Sequence, residues 1–196
     1  MEKGDYISTI LRSNKTVFSV KDIMLLWGDT DTNAAKVRIN YYAKSGELYR
    51  VRRGIYAKDK NYNKLELSTK IFTPSYVSFE TVLAGAGVVF QYYSQIFVAS
   101  YLTREIVADN QTYFYKRIKD AILTNRAGIA NQENYSIASP ERAFLDVIYV
   151  YKDYHFDSLS SLNWDKVCEI LPIYGGNKRM EKKVKQCQEA FKITTA

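Results

Sequence analysis

The chain has 196 residues, a formal net charge of +7 and an isoelectric point near 9.2. Its length accommodates one small domain of about 60 residues and one further compact domain. The hydrophobic fraction of 46% and the charged fraction of 25% exclude long disordered regions. The excess of Lys and Arg favours a polyanionic partner, and most of it lies early, with a balance of +5 over residues 1–60 and +2 over residues 61–196.

The residues that most often hold metals or form disulfides are scarce. Cys168 and Cys187 have no C-x-x-C spacing, and the single histidine, His155, has no neighbouring cluster of ligands. Neither a disulfide framework nor a zinc site is indicated, and we expect no cofactor.

The N-terminus and one uncharged stretch bear on localisation. Residues 1–6 lack the apolar core of a signal peptide, so a cytoplasmic location is expected. Residues 81–103 carry no charge and are long enough to span a bilayer. However, the polar cluster at 91–95 and the glycines Gly85 and Gly87 favour a buried helix followed by a strand.

The sequence predicts three consecutive helices: a first over about residues 3–12, where apolar residues recur at helical spacing, a second after it, and a third that runs to about residue 45. Ser19 can cap the second helix, and Gly28 can end it. Asp31 or Thr32 can then cap the third helix.

The facing of the third helix decides which of its residues can reach a partner. One register turns inward Ala35, Ile39 and Tyr42. The other turns inward Ala34, Val37 and Tyr41, and it also carries Arg38 into the buried face, where an unpaired charge would cost several kcal/mol. We therefore expect the first register.

Two short β-rich runs, 48–51 and 55–57, surround the turn 52–54 and predict a hairpin. Three helices followed by a hairpin with Arg at its tip form the winged-helix plan. Such a helix can enter a DNA major groove while the wing contacts phosphates or a minor groove. The alternatives are that these charges only solvate a surface, or that the winged helix binds protein. The expected DNA contacts are Asn33, Lys36, Val37, Arg38, Asn40, Tyr41, Lys44, Arg50, Arg52, Arg53 and Lys58.

The predicted fold class is α+β, with a winged helix-turn-helix domain over residues 1–60, a linker over 61–73 and a mixed α/β domain over 74–196. The second domain is expected to contain helices and strands in the order helix 78–84, strands 96–102 and 111–118, helix 140–151, and two helices within 164–191 divided by a break at 172–177. Ser139 and Pro140 mark the start of the helix at 140–151.

Candidate catalytic groups have simpler explanations. A helix start accounts for Glu141, and salt bridging accounts for Arg142 and Asp146. Asp29 and Asp31 lie in a turn between helices, where capping and solvation are the expected roles. We therefore expect no enzymatic activity.

A second basic group lies near the C-terminus. It is expected to solvate a helix face, with a second phosphate-contacting patch as the alternative. Its members are Lys178, Arg179, Lys182, Lys183 and Lys185.

Three segments, residues 48–56, 76–87 and 137–146, together resemble the AbiEi antitoxins of AbiE-type, type IV toxin–antitoxin systems used in phage defence. The resemblance implies a winged-helix domain that represses its own operon and a C-terminal domain that counters a nucleotidyltransferase-like toxin. Many members of the family have a His where this chain has Ala86, before Gly87, so any role of that His is absent here.

The expected partners follow from this resemblance. They are double-stranded DNA with an inverted repeat in the chain's own promoter, and a cognate toxin that is countered with or without stable binding. We expect no membrane association, a monomer in solution and two copies on the operator. The alternative is a winged-helix regulator whose C-terminal domain senses a ligand or partner, with no toxin.

Overall fold

The computed structural model describes the backbone of residues 5–195 and the side chains of residues 6–192. Within that range the chain has the mixed α+β fold that was predicted, with two β-sheets. The helices are α1 (Asp5–Arg12), α2 (Val20–Trp27), α3 (Thr32–Ser45), α4 (Lys64–Ile71), α5 (Glu80–Gly85), α6 (Asp120–Leu123), α7 (Pro140–Val150), α8 (Trp164–Ile170) and α9 (Lys178–Thr195). The strands are β1 (Val17–Ser19), β2 (Tyr49–Arg52), β3 (Ile55–Ala57), β4 (Ser75–Val77), β5 (Ile96–Ser100), β6 (Arg104–Ala108), β7 (Gln111–Arg117), β8 (Ile129–Gln132) and β9 (Tyr135–Ala138).

The N-terminal part is the predicted winged helix, built from α1, α2, α3 and the hairpin β2–β3. Its sheet has a third strand, β1, so that the antiparallel order is β1-β3-β2. Ser19 caps α2 in a capping box with Asp22, and Gly28 ends that helix in the left-handed conformation, with a φ of 63°. The predicted start of α1 at Lys3 lies outside the described residues.

The third helix adopts the expected register, with Ala35, Ile39 and Tyr42 buried. These side chains pack with Ile10 of α1 and Ile23 of α2 in one hydrophobic core. The register prediction is confirmed, and it places the opposite face of α3 in solvent.

The segment expected as a linker, residues 61–73, contains a packed helix. Asn63 caps α4 by accepting hydrogen bonds from the backbone N–H groups of Leu65 and Glu66, and Leu67 is fully buried. The carboxylate of Glu66 also accepts two hydrogen bonds from Thr16, at 2.6 and 2.9 Å. The sparse large apolar residues suggested an open connection, but one buried Leu and an Asn cap are enough to fix a short helix here.

The second sheet has six strands in the order β6-β7-β5-β4-β9-β8. Alternate residues of β5 point to opposite faces. Ile96 and Val98 join a core that also contains Leu67 of α4 and Val17 of the winged helix. We call this the shared core. On the other face, Phe97 belongs to a core covered by α5, α7, α8 and α9.

The predicted helices and strands of the second domain were found with small shifts. The strands 96–102 and 111–118 became β5 and β7, and α7 ends at Val150. The helix expected at 78–84 begins at Glu80, after the strand β4. The division of the C-terminal segment into α8 and α9 is also confirmed, with a short 3₁₀ turn, Leu171–Tyr174, at the expected break. No helix in the described part of the chain is long and apolar enough to cross a membrane.

Candidate nucleic-acid interface

The outer face of α3 carries most of the residues predicted to contact DNA. Val37 is 71% exposed and Tyr41 is 54% exposed. Four of the polar residues predicted to contact DNA are exposed on this helix, namely Asn33, Lys36, Asn40 and Lys44. Hydrogen-bonding side chains, two ammonium groups and an exposed aliphatic side chain are therefore brought together on one helix. That combination can interact with base edges and phosphates.

The beginning of α3 is fixed by the two aspartates of the preceding turn. Asp31 caps the helix by accepting from the N–H groups of Asn33 and Ala34, at 2.8 and 3.2 Å. Asp29 accepts from Arg38 at 2.6 Å. The expected capping role of Asp31 is confirmed, and neither aspartate belongs to a metal cluster: among the described residues no group of three or more His, Cys, Asp or Glu could hold a metal ion.

Arg38 was expected at the edge of the DNA-binding face, but its guanidinium is engaged inside the winged helix. Besides its ion pair with Asp29, it lies 4.0 Å above the ring centroid of Tyr6 and 5.4 Å from that of Trp27. Its hydrogen bond is the largest of the influences that lower the pKa of Asp29. Arg38 thus fixes α3 against α1 and α2.

The wing separates its arginines into two groups. Arg50 and Arg53 are exposed. A β-bulge lies between Arg50 and Arg52, and Arg52 is half-buried, with an Nη1 atom that is buried and has no hydrogen-bond partner among the described residues. The charge of Arg52 opposes the rise that burial causes in the pKa of Tyr115.

Lys58 was also expected to contact DNA, yet its ammonium group is bound within the winged helix. It donates to the backbone carbonyls of Leu11, at 3.0 Å, and of Ser13. These carbonyls lie at the C-terminal end of α1, where a positive charge is stabilising. The structure therefore gives Lys58 a capping role.

Comparison with known families addresses this same part of the chain. Residues 5–57 match the model of the family described as transcriptional regulator, AbiEi antitoxin. Over this segment the chain is therefore similar to the AbiEi antitoxins. The match runs from α1 to the last residue of the wing, and it confirms the resemblance seen in the sequence over that range. No curated protein was found to match the chain.

The second basic group lies on α9, outside the residues 5–57 that match the AbiEi family. This helix is on the opposite face of the six-stranded sheet from the winged helix. Arg179 donates to the carbonyls of Tyr149 and Tyr151, at 2.8 and 2.9 Å, and so caps the end of α7. Lys178 and Lys182 are exposed. Lys183 is half-buried, and Lys185 lies 4.0 Å from Glu189. A phosphate-contacting role for the remaining lysines stays a prediction.

The carboxylates considered as catalytic candidates, Glu141 and Asp146, are buried in the second domain, outside the segment that matches the AbiEi family. Asp146 and Arg142 are fully buried and joined by a contact of 3.3 Å, which confirms the expected salt bridge. Burial raises the pKa of Asp146, and this rise is opposed by Arg142 and by hydroxyl groups that donate to the carboxylate. Those donors are the hydroxyls of Tyr76, Ser78 and Tyr174, at 3.0, 2.7 and 2.7 Å.

A second buried ion pair joins Glu80 to Lys116 at 3.1 Å, and the sequence analysis did not predict it. The ammonium group of Lys116 also donates to the hydroxyl of Tyr151, and it lies 4.3 Å from the ring centroid of Phe97. Burial lowers the pKa of Lys116, and Glu80 opposes that change. Glu80 lies on α5 and Lys116 on β7, 36 residues apart, so no local pattern in the sequence could have revealed the pair.

Proposed function

We propose that this chain is a cytoplasmic DNA-binding antitoxin that represses its own type IV toxin–antitoxin operon. The observation that carries the proposal is the outer face of α3, which presents Lys36, Val37, Asn40 and Lys44 from a winged helix of the AbiEi family. A net charge of +7 supports a polyanionic partner.

The two parts of the proposed interface have different tasks. On α3, the amide of Asn40 suits the edge of adenine, the ammonium of Lys36 suits guanine, and Val37 can meet the methyl group of thymine. On the wing, Arg50 and Arg53 are exposed and suit phosphates or a narrow minor groove. The helix would thus supply sequence preference, and the wing would supply sequence-independent affinity.

The C-terminal domain is proposed to counter a nucleotidyltransferase-like toxin in phage defence, by binding it or by indirect antagonism, and without catalysis. The similarity of residues 5–57 to the AbiEi antitoxins supports an antitoxin role for the whole chain. The internal hydrogen bonding of Asp146 and Arg142 favours a structural rather than catalytic use of those groups. A neighbouring gene for a nucleotidyltransferase would favour this function over a regulator that has no toxin.

The helix contact is tested by replacing Asn40 with Ala in the full chain and selecting bound sites from randomised DNA. The expected result is a changed preference at one or two base pairs, with discrimination lowered by about 1–3 kcal/mol and a nearly unchanged salt dependence. Gln186→Ala on the exposed face of α9 is the matched amide control and should leave the preferred site as it is. If Asn40→Ala selected the same site as the wild type, α3 would not be the reading helix.

A further inference from the structure

One carboxylate of the second domain, that of Asp109, accepts hydrogen bonds from a tyrosine of the wing and from a second tyrosine nearby. The hydroxyl of Tyr49, on the wing strand β2, donates to Oδ1 of Asp109 at 2.7 Å. The hydroxyl of Tyr62, which precedes α4, donates to Oδ2 of the same side chain at 2.8 Å. The two rings stack with their centroids 6.4 Å apart and their planes at 22°.

Asp109 is held at this place by the geometry of its own hairpin. Asp109 and Asn110 form the two-residue turn between β6 and β7, with φ values of 47° and 60°, and the strands pair up to Ala108 and Gln111 on either side. Such a turn with two left-handed residues follows the twist of the strands and favours Asp and Asn. Ala108, next to the turn, is buried in the shared core, so the carboxylate stands on a fixed support.

The rest of β2 also rests against the second domain. Val51 packs on the shared core, and Arg52 is half-buried. Because side chains alternate along a strand, an inward Tyr49 and Val51 leave Arg50 pointing outward, and Arg53 is exposed in the turn that follows β2. The contacts with the second domain therefore set the direction in which the wing presents its exposed arginines.

We propose that Asp109 of the second domain is a positioning residue for DNA recognition, which aims the wing by holding the hydroxyl of Tyr49. The inference rests on the proposed DNA-binding function. A wing fixed in advance loses less conformational freedom when Arg50 and Arg53 bind phosphates. Asp109 also raises the pKa of the Tyr49 hydroxyl by accepting its hydrogen bond, so this hydroxyl stays a donor over the physiological pH range.

Tyr49→Phe and Tyr62→Phe provide a matched pair of variants. Each removes one hydrogen bond to the same carboxylate and keeps the ring and the charge of Asp109, but only Tyr49 belongs to the wing. Replacing Asp109 itself is less clean, because removing a negative charge near the wing strengthens DNA binding by itself. The measurement is the affinity of the full chain for its promoter DNA over a range of salt concentrations.

Tyr49→Phe is expected to weaken binding several-fold and to lower the salt slope by about one unit, as one wing contact becomes intermittent. Tyr62→Phe is expected to bind DNA as the wild type does. The two variants are expected to unfold at similar temperatures, so a difference in binding between them does not reflect a difference in stability. Wild-type affinity and slope in Tyr49→Phe, or an equal loss in Tyr62→Phe, would overturn the positioning role. A wild-type chain that fails to bind the promoter at all would instead reject the DNA-binding function.

Discussion

At the scale of single residues, Arg52 and Arg53 are neighbours with different surroundings. Arg53 is exposed, and Arg52 is half-buried, with a buried Nη1 atom. Replacing Arg53 with Ala should remove about one phosphate contact, weaken binding to all DNA sequences alike and lower the salt slope by about one unit. The measurement is a titration of promoter and unrelated DNA at several salt concentrations.

Arg52→Ala is the adjacent control for this prediction. It should leave the salt slope near that of the wild type and change the thermal unfolding midpoint instead, because its side chain is half-buried and its Nη1 atom is buried. A fall in slope for Arg52→Ala as large as for Arg53→Ala would show that Arg52 also reaches DNA.

The sequence was sufficient to predict which residues the interface carries, but it could not reveal their hydrogen-bond partners. Arg38 and Lys58 lie on or next to elements that face DNA in a winged helix, which is why both were expected to contact it. Their acceptors are Asp29, nine residues away, and the carbonyls at the end of α1. Arg179 likewise finds the carbonyls of α7. The local sequence around a cationic side chain is the same whether that side chain binds distant acceptors or is solvated by water. It therefore does not distinguish the two cases.

At the scale of elements, the packing of α7 is stabilised by the buried ion pair of Arg142 and Asp146. Arg142 donates to the carbonyls of Ala127 and Ile122 as well as to Asp146 and the hydroxyl of Tyr76. Replacing Arg142 with Met leaves the carboxylate buried without its cation, and a loss of about 3–5 kcal/mol in the free energy of unfolding is expected. Urea unfolding of the full chain measures this loss.

A second substitution separates charge from packing in this network. Asn at position 146 is neutral, and its one carbonyl oxygen can still accept from the hydroxyls of Tyr76 and Ser78, which donate to the same carboxylate oxygen in the wild type. Adding Asp146→Asn to the Arg142→Met variant should therefore recover part of the lost stability. If the two losses simply added, the uncompensated charge would not be the cause.

Local signals account for which elements the sequence could predict. α7 was predicted because Ser139 caps it, Pro140 occupies its first turn and its apolar spacing is regular. By contrast, β6 and β8 are edge strands whose residues are mostly exposed. Their conformation depends on pairing with β7 and β9, so their own sequences carry no clear alternation. β1 has only three residues and is fixed by its pairing with β3.

At the scale of the whole molecule, the winged helix and the second domain share a core. Val17 and Ile55 of the winged helix pack with Val98 and Tyr115 of the six-stranded sheet. Lys70 of α4 also forms an ion pair with Asp22 at 3.0 Å. The sequence suggested two units joined by a linker and did not reveal the shared core. Contacts between segments that are distant in the chain leave no periodic pattern in the sequence. The winged helix and the second domain are therefore mechanically connected in the structure.

The proposed repressor needs more specificity than one winged helix can supply. A single module of this size buries roughly 600–1,000 Å² of protein surface on DNA and reads only a few base pairs. Two copies on an inverted repeat, spaced by the helical repeat of DNA, would provide the remaining discrimination. We therefore expect cooperative binding of two chains to the promoter, and a monomer in the absence of DNA.

Footprinting of the full chain on its own promoter, with the mass of the complex measured on the same fragment, tests the central claim most directly. The account predicts protection of two symmetric half-sites, a complex with two chains per fragment, and a loss of cooperative binding when one half-site is scrambled. No protected site in the promoter, or equal affinity for scrambled and intact fragments, would contradict the account.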